Sequence, residues 1–254
     1  MGSWNLRTFA RTMNDAISNY LTRTGFSVLR PRAVLFDMDG VCYDSMSYHA
    51  VAWQQSMAHY GLTMTAADAY ATEGARGIDT VRQLVKKERG EDITQEQAQE
   101  MYDLKSSIFH AMKPLPPVMP GVLELMAQID AGGLGIGIVT GSGQRPLIAR
   151  LLNDFGRYLT EQHIVTAYDV ERGKPAPDPY LMGMEKMGHL QPWQTIVVEN
   201  APLGVAAAVA ARCFTIAVNT GPLPDEALLS QGADMLFPSM TALSKAWSQI
   251  IQEK

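Results

Sequence analysis

Short apolar runs alternate along this chain with longer segments whose apolar positions recur every three or four residues. The runs Ala33–Phe36, Gly135–Val139, Thr195–Val198, Thr215–Val218 and Met235–Phe237, and a weaker one at Ile164–Thr166, have the near-continuous apolar character of strands buried on both faces. Between them, Gly121–Ala131, Gln144–Phe155, Asp178–Met187, Pro202–Ala211, Asp225–Gln231 and Met240–Ile251 carry helical spacing. Strands alternating with helices predict an α/β fold with a doubly wound, Rossmann-like parallel sheet.

One interval breaks the alternation. Between the first and second strands, about a hundred residues contain no convincing strand, and Tyr48–Tyr60, Asp79–Lys87 and Glu96–Phe109 carry helical periodicity. The spacing predicts an inserted helical cap over 45–115, leaving 33–44 and 116–254 as the α/β core. The proline-rich stretch Lys113–Gly121 suits a stiff connector between the two. Residues 1–32 carry five arginines against one acid, Asp15, as organelle transit segments do. The spacing of Leu6, Phe9, Ala10, Met13, Ile17, Tyr20 and Leu21, closed by Gly25, favours an ordinary amphipathic helix packed on the core.

Composition narrows the partners. The net charge of −5 and pI near 5.5 leave no broad basic surface, which argues against nucleic acid or an anionic membrane and for a small molecule. The apolar stretch Ala201–Val218 is interrupted by Arg212 and falls short of a membrane span. Two cysteines, Cys42 and Cys213, are too few for a disulfide framework or a four-ligand zinc site, so a reducing, cytoplasmic setting is expected.

In such sheets ligands sit at the carboxyl ends of strands, and the residues there are polar. Asp37 and Asp39 follow the first strand and could face one pocket, or form a turn or helix cap; Gly40 permits the sharp turn an aspartate loop needs. Thr140-Gly141-Ser142 follows the second strand and offers hydroxyls and backbone N–H groups to an anion, or a simple N-cap. Lys174, between Gly173 and Pro175, is either a point cation or a solvated lysine. Glu199 and Asn200 offer hard oxygens to Mg²⁺, or cap the next helix.

Taken in this order, Asp37-Met38-Asp39-Gly40, Val139-Thr140-Gly141-Ser142, Gly173-Lys174-Pro175 and Val198-Glu199-Asn200 resemble the four motifs of the haloacid dehalogenase superfamily, in its β-phosphoglucomutase-like branch with a helical cap. The resemblance implies a Mg²⁺-dependent aspartyl-phosphate enzyme. Asp37 would attack phosphorus, and Asp39 would protonate the leaving group and later activate water. Lys174, Thr140 and Ser142 would stabilise the transferring oxygens, with Asp37, the Asp39 carbonyl and Asn200 on the metal.

Departures from that branch point to the acceptor. Asn200 stands where many relatives have an acid, and Glu73 in the cap would restore the charge if closure brings it over the site. The mutases carry cap cations around a G-V-x-R-x-x-S pattern, whereas this chain reads Gly74-Ala75-Arg76-Gly77-Ile78-Asp79-Thr80, with Glu73 for the expected cation and Gly77 for the expected arginine. Losing those cations argues for a hydrolase, because a mutase holds a bisphosphate at both ends. Arg76 and a cap-edge histidine matched in relatives, His49, complete the candidate site. Val139–Gln144, Glu199–Gly204 and Asn219–Leu223 resemble bacterial inorganic pyrophosphatases of the superfamily. The expected substrate is therefore pyrophosphate or a small phosphate ester such as a sugar phosphate, acted on by a monomer or weak dimer. A β-phosphoglucomutase-type isomerase is the alternative, and a phospho-acceptor module without turnover a third.

Overall fold

The computed structural model describes residues 6–142 and 145–251. Six parallel strands form one sheet in the order β3-β2-β1-β4-β5-β6: β1 (Ala33–Phe36), β2 (Gly135–Val139), β3 (Ile164–Val165), β4 (Thr195–Glu199), β5 (Phe214–Val218) and β6 (Met235–Phe237). The fold is thus the doubly wound α/β sheet expected from the sequence. Residues of β1 alternate between two apolar layers: Val34 and Phe36 pack with the larger cluster, Ala33 and Leu35 with the smaller. Burial on both faces is why these strands show no polar alternation.

Helices α1 (Leu6–Thr24), α6 (Val122–Ala131), α7 (Arg145–Phe155) and α11 (Met240–Ile251) cover the first face. Helices α8 (Asp178–Lys186) and α9 (Pro202–Ala210) cover the second, and the short α10 (Glu226–Leu229) packs near α9. Met13, Ala16 and Tyr20 of α1 are buried, the Tyr20 ring meets Phe214 edge-on, and Arg23 makes a two-pronged contact with Asp234 at 2.9 Å. The side chains of Leu6, Phe9 and Ala10, and residues Gly143 and Gln144 at the expected start of α7, lie outside the described residues.

Helices α2 (Met46–His59), α3 (Ala66–Ala71), α4 (Gly77–Arg89) and α5 (Gln95–Ala111) come after β1 and share a separate apolar core built on Trp53, Met57, Val81, Leu84, Val85 and Met101. The chain enters and leaves this insert through adjacent linkers: Tyr43 bridges Val118, and Asp44 N–H donates to the Pro117 carbonyl at 3.0 Å. Arg150 of α7 stacks 4.1 Å over the Tyr43 ring and donates to the Pro116 carbonyl, clasping both linkers to the core.

Register places the chemistry. Phe36 pairs with Ile138 on one side and Val198 on the other, so Asp37, Thr140 and Glu199 emerge together at the carboxyl edge. That edge, where β1 meets β4 and the strand order reverses, is where open α/β sheets bind ligands.

Candidate active site

Asp37 is 3% exposed and accepts a hydrogen bond from the Lys174 ammonium. The same ammonium donates to Glu199 Oε1 at 2.6 Å and to the Val139 carbonyl at 3.1 Å. Burial works against the Lys174 charge, but Asp37 and Glu199 outweigh it and raise its pKa. Lys174 is therefore a fixed buried cation rather than a solvated loop lysine. Burial also raises the Asp37 carboxyl, with Glu199 and Asp39 pushing the same way against Lys174.

Glu199 departs from its expected place among the metal ligands. It is fully buried, Oε1 accepts from Lys174 and from the Tyr180 hydroxyl at 2.8 Å, and Oε2 accepts from the backbone N–H groups of Asn200 and Ala201. Both oxygens are committed, to a lysine and to the entry of α9, which leaves the carboxylate a structural anchor. Replacing it with Ala would leave Lys174 and two N–H groups short of partners, and Glu199→Ala is expected to cost about 3–5 kcal/mol of stability in chemical denaturation.

Asp39 faces the other way. Its Oδ1 accepts from Ser45 Oγ at 2.6 Å and lies 2.9 Å from His49 Nε2, while Lys105 Nζ lies 2.6 Å from His49 Nδ1. A lysine ammonium can only donate, so His49 accepts at Nδ1 and presents its Nε2–H to Asp39. Burial first and Lys105 second keep His49 neutral. Burial opposes the Asp39 charge, but the contacts with His49 and Ser45 and the nearby Lys105 hold its carboxyl down, to about 2. His49 thus orients Asp39 and stands between it and the Lys105 ammonium.

Glu73 reaches the core. It is 6% exposed, and Asn200 Nδ2 donates to its Oε1 at 2.6 Å. A carboxylate can only accept, so the amide nitrogen turns to Glu73 and Asn200 Oδ1 points away, buried without a partner. Burial raises the Glu73 carboxyl well above its usual range, with Asp37, Glu199 and Asp39 adding. Gly40, at φ +79°, lets the aspartate loop pass under this pair, since a Cβ there would lie 2.0 Å from Asn200 Nδ2. Thr220 Oγ1 pins the loop by donating to the Gly40 carbonyl at 2.7 Å.

Part of this set opens on a small cavity of about 60 Å³, lined among others by Asp37, Asp39, His49, Glu73, Thr140, Gly141, Ser142 and Lys105. The Thr140 hydroxyl accepts from Ser142 N–H at 3.0 Å, shaping the loop that faces the aspartates. Arg76 departs from its expected place: it is absent from this cavity and turns outward to Asp79 and the Glu171 carbonyl.

The donor set fits a divalent cation. Three buried or half-buried carboxylates, Asp37, Asp39 and Glu73, lie near one another, and the amide oxygen of Asn200, whose nitrogen is bonded to Glu73, is buried without a partner. Among the described residues no three Cys, His, Asp or Glu side chains form a ready-made cage. Mixed carboxylate, amide and carbonyl oxygens completed by substrate and water are what Mg²⁺ takes.

Sequence reasoning passed over Lys105, Tyr102 and Tyr180. Lys105 is 4% exposed, with Trp53, Tyr102 and Phe109 rings 5.1–5.8 Å from its Nζ. Its signal was available: Ala98, Met101, Lys105 and Phe109 form the buried stripe of α5, and a lysine in such a stripe needs a reason. Tyr180 carried none, because its partner Glu199 is brought near only by folding.

With this geometry in place, the relatives become interpretable. The sequence profile described as haloacid dehalogenase-like hydrolase matches residues 34–218. The chain belongs to that family. Among characterised members it is 32% identical over 191 residues to hexitol phosphatase A of Escherichia coli (strain K12), covering 75% of this chain and 84% of that protein. It is 25% identical over 230 residues to the beta-phosphoglucomutase of Bacillus subtilis (strain 168), covering 86% and 96%. A solved structure of a candidate beta-phosphoglucomutase from Bacteroides vulgatus superimposes with a TM-score of 0.91 at 43% identity, covering 95% of this chain and 97% of that one. The family thus spans phosphatases and a phosphomutase on one scaffold, and the choice between them rests on the cavity.

Proposed function

We propose that this chain is a Mg²⁺-dependent phosphohydrolase acting through an aspartyl phosphate, with pyrophosphate or a small phosphate ester as substrate. The observation that carries the reading is Glu73, a carboxylate of the helical insert hydrogen-bonded to Asn200 beside Asp37. The insert, acting as a cap, thereby brings a carboxyl that a bound cation would ionise to the place where a phosphomutase brings a positive charge.

Asp37, the Asp39 carbonyl, Asn200 Oδ1 and Glu73 would hold the ion, which neutralises phosphate charge so that a carboxylate can approach. An Asp37 oxygen attacks phosphorus as the bond to the leaving oxygen breaks, and that oxygen takes a proton which Asp39, ionised in the ligand-free protein, first accepts from the entering substrate phosphate or from water. Asp39 then takes a proton from water as the water attacks the aspartyl phosphate, releasing phosphate and restoring Asp37. Lys174 stays paired throughout and offsets charge on the equatorial oxygens.

Cavity shape supports a small substrate. Gly77 has no side chain, and a Cβ there would lie 2.0 Å from the Tyr102 ring, so that ring occupies the space a residue-77 side chain would need. Lys105 is the one lysine or arginine among the described residues lining the cavity. A sugar bisphosphate needs both more room and a second cation.

Turnover of a Mg²⁺-supplemented panel of pyrophosphate, hexitol phosphates and β-glucose 1-phosphate tests this reading. Phosphate release from pyrophosphate or a small ester is the expected result, and isomerisation of β-glucose 1-phosphate without phosphate release would overturn it. Glu73→Ala is expected to raise the Mg²⁺ concentration needed for half-maximal rate by about 10–100-fold. An unchanged Mg²⁺ requirement would take Glu73 out of the ligand set.

A further inference from the structure

The segment Glu73–Arg76 is where the cap meets the core. Glu73 bonds to Asn200, and a Cβ on Gly141 would fall 2.6 Å from the Gly74 carbonyl oxygen and 2.9 Å from that of Ala75, so the cap loop sits directly on the phosphate-facing loop. Asp37 and Glu73 are nearly inaccessible in this arrangement, and a phosphorylated substrate enters only if the seam opens.

Arg76 closes that segment from outside. It occupies the N-cap position of α4, donating through Nε and Nη2 to Asp79 at 2.7 and 3.2 Å. The remaining arm, Nη1, crosses to the core and donates to the Glu171 carbonyl. Its methylene stem lies against Gly173, where an added Cβ would be 2.6 Å from Arg76 Cγ. The stretch it grips is itself tied down, since Arg172 makes two 3.0 Å bonds to Asp178 at the start of α8, and it leads directly into Lys174. We infer that Arg76 is a positioning residue, a latch that holds the cap closed by fastening the start of α4 to the loop that carries Lys174.

This role rests on the hydrolase reading only for its effect on rate; the fastening itself belongs to the fold. Arg76 lies outside the cavity and touches no reacting group, so its loss leaves the chemistry of the closed state intact and lowers the fraction of closed protein. Planarity matters: two nitrogens serve Asp79 while a third spans the seam, and a lysine ammonium reproduces only one of these contacts. The Arg76 and Asp79 side chains are 24% and 30% exposed, so salt screens the ion pair that holds the guanidinium in its seam-spanning orientation and acts on the latch through that pair.

The test compares wild type with Arg76→Ala and Arg76→Lys, by steady-state kinetics on the substrate the panel identifies and by the distance distribution between spin labels on α5 and α11 without substrate. Both variants are expected to raise KM by about three- to tenfold with kcat within about twofold, a size suited to one part-exposed charged contact. The label distribution is expected to shift to longer distances in both variants and, for wild type alone, on going from low to high salt. An unchanged distribution in a folded Arg76→Ala variant would overturn the latch, as would a fall in kcat at constant KM, which puts Arg76 at the chemistry. Because the label measurement needs no substrate, it decides the latch even if the panel finds no turnover.

Discussion

Asp37→Asn is expected to abolish turnover, by on the order of 10⁴-fold or more, with the fold retained. No neighbouring carboxylate can take its place. Glu199 has both oxygens bound by Lys174, Tyr180 and two N–H groups, Asp39 is held by Ser45 and His49, and Glu73 is engaged by Asn200. The substitution keeps the shape and an acceptor for Lys174, and it removes a carboxylate whose charge burial opposes. Thermal stability is therefore expected to match or exceed wild type. Intact-protein mass spectrometry after mixing with substrate checks the chemistry, with a phosphoryl adduct in wild type and none in the variant. Turnover within about tenfold of wild type would remove Asp37 as nucleophile.

The strands and the four polar strand-end segments were legible because each rests on local pattern. Parallel strands buried on both faces read as apolar runs, and chain order alone puts Asp37, Thr140 and Asn200 at the carboxyl edge once their strands are recognised. Helix α3 was missed: at six residues it is too short for periodicity, although Thr65 and Asp68 form a capping box at its start. Partners were not legible. Glu199 ends a strand as a metal ligand would, and only folding shows that Lys174 and Tyr180, distant in sequence, reach it first. Arg76 sits two positions from Gly74 in the cap loop, yet Asp79 and the Glu171 carbonyl turn it out of the cavity. Glu73 was a conditional ligand from sequence, since its value depended on a seam that no periodicity describes.

Lys105→Met is expected to stabilise the protein at pH 7 and to slow it. Burial drives the Lys105 pKa down to about 8, with Asp39 opposing, so the folded state binds the proton less well than the unfolded chain. The penalty for the charged form is fully present below about pH 8. Between about 8 and 10.4 the unfolded state holds more protons, and wild-type stability rises with pH. By that linkage the penalty is roughly 3 kcal/mol at most, reduced by about 1 kcal/mol for lost cation–π contacts with Trp53, Tyr102 and Phe109. A methionine of similar length keeps the packing and does not titrate, so its melting-temperature advantage is greatest at pH 7 and shrinks by pH 10. The rate is lost for a different reason. Without Lys105, His49 Nδ1 has no donor, the imidazole keeps the burial that lowers its pKa but loses the cation that adds to it, and the hydrogen bond by which His49 holds the Asp39 carboxyl down is no longer fixed in direction. A fall in kcat of roughly 10–100-fold is expected, below the full contribution of a general acid/base because His49 still reaches Asp39. A variant less stable than wild type by the same margin at pH 7 and pH 10 would refute the buried-charge account. A lysine kept at such a cost in the buried stripe of α5, one histidine away from Asp39, ties the charge state of that carboxylate to the helical insert as well as to the strand ends.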